Sequence, residues 1–99
     1  MSNEPIKQRS TAASGRYTER VEFRFTDYFE TQVLRKRPYL KREWCVMVVS
    51  RPLRCERQEP DRFRFWAAVP ELSGRYLRVI TLEDKVTIHN AFPDRGFRP

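Results

Sequence analysis

The 99-residue chain is poor in the residues that build many familiar sites: it has three glycines, one histidine and two cysteines. So few glycines leave no room for a loop that wraps phosphates in backbone amides, and neither G-x-S-x-G nor H-E-x-x-H occurs. One histidine excludes a histidine-rich metal centre. Cys45 and Cys55 form no C-x-x-C pair and have no histidine at ligand spacing, so both read as buried small hydrophobes of a reducing compartment. Long apolar runs are missing too. The longest candidate, Trp44–Val49, falls far short of the roughly 20 residues a membrane helix needs, and Met1–Arg16 lacks the apolar stretch of a secretory signal. The expectation is a cytoplasmic protein with no membrane partner, no metal and no cofactor.

What is abundant is positive charge. Twenty basic residues face 13 acidic ones, for a net charge of +7 and a pI near 10.0. Sixteen of the 20 are arginine, whose planar guanidinium pairs with phosphate through two parallel donors and stacks on bases. Such a balance favours a polyanionic partner, most readily RNA, and says nothing about fold. With 39% hydrophobic and 13% aromatic residues, the chain can form one modest core but not two.

Residues 1–19 are rich in Ser, Thr, Ala and Gly and predict a flexible tail, followed by a single domain over 20–99. Val21, Phe23 and Phe25 alternate with Glu22 and Arg24, the period of a half-buried strand. Thr26 or Asp27 offers a cap for a helix from Tyr28, with Phe29, Val33 and Leu34 as its apolar face. Pro38 ends it. A second helix carries Leu40, Trp44 and Val48 at four-residue spacing and closes at Ser50-Arg51-Pro52. Strands follow over Leu53–Gln58, Arg62–Val69, Arg75–Leu82 and Val86–Phe92, joined by short turns that imply an antiparallel meander. The pattern therefore predicts an α+β fold: two N-terminal helices packed on a three- to four-stranded antiparallel sheet.

Three groups of residues are candidates for chemistry. Five of the eight residues from Arg35 to Arg42 are basic. Arg35, Lys36, Arg37, Lys41 and Arg42 surround Tyr39, which could stack a base, although basic residues at a helix end also serve simply as a solvated face. On the sheet, Arg64 and Trp66 share one strand face and Arg78 lies on the neighbouring strand. This is either a platform for single-stranded nucleic acid or an ordinary solubilised face. Last, His89 is the lone histidine, with a pKa suited to acid/base work at neutral pH, and Asp94-Arg95 reads as a local ion pair.

The order Phe25–Arg37, Trp44–Pro52, Arg62–Trp66, Arg75–Thr81 and a closing polar strand resembles a group of small bacterial domains similar to the RelE/BrnT-like toxins. The resemblance spans about Phe25–Phe92. It implies a RelE-like sheet with two N-terminal helices, metal-independent endoribonuclease activity and an acidic antitoxin protein as partner. In that reading Arg64, Arg78 and His89 match the catalytic positions. The chain departs from the group where Tyr28 and Phe29 stand in place of a frequent His and Thr31-Gln32 in place of a Glu-Arg pair. A non-catalytic nucleic-acid-binding module and a protein-interaction domain are the competing readings, because fold resemblance confers no activity by itself.

Overall fold

The computed structural model describes residues 21–99; the expected tail over 1–19 lies outside the described residues. The elements run β1 (Arg24–Phe25), a π-helical segment (Phe29–Val33) continuing into α1 (Leu34–Lys36), then α2 (Arg42–Ser50) and β2 (Arg54–Gln58). After these come β3 (Arg62–Val69), a 3₁₀ turn (Pro70–Leu72), β4 (Arg75–Leu82) and β5 (Thr87–Pro93).

Local chemistry explains the helical start. Thr26 Oγ1 accepts the Phe29 amide at 3.0 Å, satisfying one of the donors that a helix N-terminus leaves open. Phe29 and Val33, four apart, are buried together, and Leu34 packs beside them. The segment stops before Pro38, and Trp44, Cys45 and Val48 form the buried stripe of α2, with Leu40 buried just ahead of the helix rather than within it as expected.

The sheet differs from the expected antiparallel meander. It has five strands in the order β1-β5-β4-β3-β2 and is mixed, because β1 pairs in parallel with β5. Arg24 stands opposite Thr87 and Phe25 opposite Ile88, and the Arg24 and Thr26 amides donate to Val86 O and Ile88 O, each at 3.0 Å. The expected picture of two N-terminal helices on an antiparallel sheet is thus corrected. A strand precedes the helices, strands dominate, and the helical pieces are short. Alternation in Val21–Phe25 identifies a strand but carries no information about its partner. Only two of those residues enter the sheet, and Val21 is exposed. β2, β3, β4 and β5 are consecutive and antiparallel, and β3 and β4 pair along their whole length, from Arg62 opposite Leu82 to Val69 opposite Arg75.

The helices cover one face of this sheet. Phe65, Ala67, Val69, Leu77, Val79, Ile88 and Ala91 from that face join Phe29, Val33, Trp44, Cys45 and Val48 in one buried cluster. Each large side chain in it contributes roughly 1.5–3 kcal/mol by leaving water. The second cysteine does not follow the first: Cys55 is exposed on the edge strand β2, whereas α2 lies over β3 and β4.

A bulge in β5 re-aims its side chains. Ile80 pairs with Asn90 but Thr81 pairs with Ile88, so His89 is an extra residue. Ile88 and Ala91 both point into the core although they are three residues apart, which strict alternation forbids. His89 and Asn90 therefore both lie off the core face, on the side that the helices leave open.

Candidate nucleic-acid interface

The open face is laid out in rows across the strands, about 7 Å apart along them. One row reads Arg54, Trp66, Arg78, Phe92; the next Glu56, Arg64, Ile80, Asn90; the third Gln58, Arg62, Leu82, with His89 emerging at its β5 end. Arginine and aromatic side chains interleave along the first row. The Arg78 guanidinium lies 5.3 Å from the Trp66 ring centre and 5.1 Å from that of Phe92. Arg37, from the end of the first helical segment, also lies over Phe92 at 5.6 Å, and Arg64 lies over Trp66 at 5.5 Å. Phe97, in the C-terminal turn, stacks on Trp66 at 5.1 Å and 17°, and Arg54 lies 5.0 Å from Phe97. The result is a ladder, Arg37–Phe92–Arg78–Trp66–Phe97–Arg54, that crosses the sheet.

Two carboxylates are set into this ladder. Asp94 Oδ2 accepts from Trp66 Nε1 at 2.8 Å and from Arg78 at 3.0 and 2.8 Å, while its Oδ1 accepts the Gly96 amide at 3.0 Å. Burial works against its ionisation, but the Trp66 and Arg78 hydrogen bonds outweigh that and hold the carboxyl below the usual range. Glu56 takes one bond from Arg64 at 3.1 Å, whereas the buried Arg64 Nε has no partner among the described residues. Between these groups lies a groove of about 410 Å³ lined by Arg54, Arg64, Trp66, Arg78, Asp94 and Phe97 among others.

His89 sits apart from that groove. Its Nδ1 is 3.0 Å from Thr26 Oγ1, and its ring stacks on Tyr28 at 4.8 Å. Thr26 Oγ1, which also accepts the Phe29 amide, and Nδ1 share one hydrogen bond whose donor is set by the imidazole tautomer; where Thr26 donates, Nε2 carries the ring proton. Burial first, and then the charge of Arg62, push its pKa below 6.5.

Of the residues singled out in the sequence, Arg64, Arg78 and Trp66 share one face, and His89 joins that face at its far corner. Trp66 is not the open stacking surface expected: it is 4% exposed, roofed by Phe97 and flanked by two guanidiniums. Asp94 pairs with Arg78 rather than with Arg95. The members of the basic run Arg35–Arg42 have different surroundings. Arg42 pairs with Glu30 and lies over Phe25 of β1, Lys41 lies over Trp44, Arg35, Lys36 and Tyr39 are exposed, and Arg37 reaches Phe92 on the open face. Sequence reasoning missed Arg54, Glu56, Phe92 and Phe97. The same strand parity that joined Arg64 to Trp66 would have found the first three; Phe97 left no periodic signal because it lies in a turn.

No three His, Cys, Asp or Glu side chains come together among the described residues, and no helix there is long and apolar enough to cross a membrane. No known family, curated protein or solved structure matches this chain.

Proposed function

We propose that this chain is an RNA-directed protein whose open sheet face binds single-stranded RNA in the cytoplasm. The observation that carries the reading is the arginine–aromatic ladder. Guanidiniums placed against rings combine cations for phosphates with surfaces on which bases stack, which suits single strands of many sequences. Arg54 and Arg37 at the two ends carry no ion pair among the described residues, so their charge is available to phosphate.

Direct measurement of binding tests this. Anisotropy of a labelled single-stranded RNA should rise on titration with the protein and fall away steeply as salt increases, because phosphate contacts release counterions. Binding that is absent at low salt, or insensitive to salt, contradicts the proposal.

A second reading, a toxin-type endoribonuclease that acts without metal, is favoured by one specific feature, the fixing of His89. In the tautomer whose Nδ1 accepts from Thr26, the stacked imidazole keeps its proton on Nε2 and is equipped to donate it to a leaving oxygen. Arg62, whose field reaches it, is the cation placed to stabilise a phosphorane. All three sheet arginines are engaged by carboxylates, Arg62 by Asp61, Arg64 by Glu56 and Arg78 by Asp94, and Arg62 is preferred because its field reaches His89. RNA cleavage in the presence of a chelator, growth arrest on expression and relief of both by His89→Ala would establish it. An acidic antitoxin would then be the expected partner.

A further inference from the structure

The C-terminal turn Asp94–Phe97 occupies the open face in an unusual way. Three donors, Trp66 Nε1, Arg78 Nε and an Arg78 terminal nitrogen, converge on one oxygen of Asp94 at 2.8, 3.0 and 2.8 Å. Three residues on, the Phe97 ring lies flat on the Trp66 indole with the Arg54 guanidinium on Phe97 too. An anionic oxygen fixed by three donors beside a ring stacked on indole is the arrangement in which a protein holds a phosphate and its base.

We propose that Trp66, Arg78 and Arg54 form a nucleotide subsite that takes one base and one phosphate of single-stranded RNA. In the free protein the chain's own C-terminal turn fills it, Asp94 in the place of phosphate and Phe97 in the place of the base. This deepens the RNA-binding reading and rests on it.

The turn is built so that it can leave. One backbone bond ties it to the sheet, from the Asp94 amide to Tyr76 O at 2.9 Å, and that bond can stay while the Asp94 and Phe97 side chains swing away. Within the turn, the Gly96 amide bonds to Asp94 Oδ1, and the Phe97 amide reaches Asp94 O at 3.4 Å, a long and weak contact. Hollow space lies on both sides of it. The groove of about 410 Å³ beside Arg54 and Arg64 and a second of about 380 Å³ beside Ser73, Arg75 and Tyr76 share Asp94, Phe97 and Arg98 as a common wall. Lifting that wall joins the two into one channel across the ends of β3, β4 and β5. An RNA phosphodiester matches the single charge and two acceptor oxygens of the carboxylate, so it can replace Asp94 on Arg78, and the base that stacks on Trp66 in place of Phe97 adds to its hold.

Hydrogen exchange on the full chain, with and without a hexauridylate, reads the displacement directly. The Gly96 amide should exchange at least severalfold faster with the oligonucleotide bound, while the amides of β3 and β4 are unchanged or slowed. Phe97→Ala should bind the same hexauridylate about tenfold more tightly than the parent, the stacking of one base on Trp66 being worth about that much. Adding Trp66→Leu should cancel the gain. If the parent binds the oligonucleotide but Gly96 exchange is unmoved and Phe97→Ala binds no better, the turn is only a staple and the subsite is refuted while the binding face stands. If neither the parent nor Phe97→Ala binds, the RNA reading falls and the subsite with it.

Discussion

Asp94 illustrates how a single side chain couples the fold to the proposed site. Burial raises the cost of its charge, yet the Trp66 and Arg78 hydrogen bonds hold its pKa below 3.8. A depressed carboxylate contributes stability that is present above the unfolded value and is lost as pH falls through the folded one. Asp94→Ala should remove that acid-limb dependence from denaturant unfolding. It should also cost about 1–3 kcal/mol at neutral pH, because Trp66 Nε1 and Arg78 lose their acceptor. His89 behaves differently. Its pKa is lowered below 6.5 by burial and by Arg62, so its contribution is complete above the unfolded value and lost as pH drops below it. A histidine titration followed by NMR should place it below 6.5, and Arg62→Gln should move it upward. The cysteines separate by environment. Burial pushes the Cys45 thiol up to about 12, whereas Cys55 is exposed, so a thiol reagent at mild alkaline pH should modify Cys55 in the native protein and Cys45 only after unfolding.

At the scale of elements, β3 and β4 were legible to the residue, β3 from the Arg-Phe alternation of Arg62–Phe65 and β4 from its β-branched Val79, Ile80 and Thr81. A cap at Thr26 or Asp27 was legible, because either side chain offers an oxygen to the open amides of the helix start, and the Phe29 amide takes Thr26. The parallel pairing of β1 was not legible: its two residues meet Thr87 and Ile88 at the far end of the chain, and no local pattern encodes such a contact. Nor was the bulge at His89, which converts a residue expected simply to face outward into one clasped by Thr26 and Tyr28. The first helical segment is short, with one π-helical and one α turn, so its stability comes from what it buries. Phe29, fully buried and in ring contact with Phe25 at 5.1 Å, is its anchor. Phe29→Ala should destabilise the fold by about 3–5 kcal/mol in equilibrium unfolding, the range for a buried aromatic.

Over the described part of the molecule, basic residues adjacent in sequence acquire different partners on folding. The basic run Arg35–Arg42 is the densest stretch of sequence, yet folding distributes its members among Glu30, Trp44, solvent and the sheet edge. Arginines drawn from β2, β3, β4 and the end of α1 instead gather on the one sheet face without helices, where rings hold their guanidiniums in a line. Composition could indicate a polyanionic partner; only the strand register shows which arginines share a surface. The central claim is that this face, and not the helical corner, meets RNA, and the salt dependence of binding discriminates between them. Arg37→Gln/Arg54→Gln should lower the slope of log affinity against log salt by about 1.4, some 0.7 for each lost single-strand phosphate contact. Arg35→Gln/Lys36→Gln, also two charges, should leave the slope within error of the parent. A slope that falls in the second variant and not in the first would contradict the account.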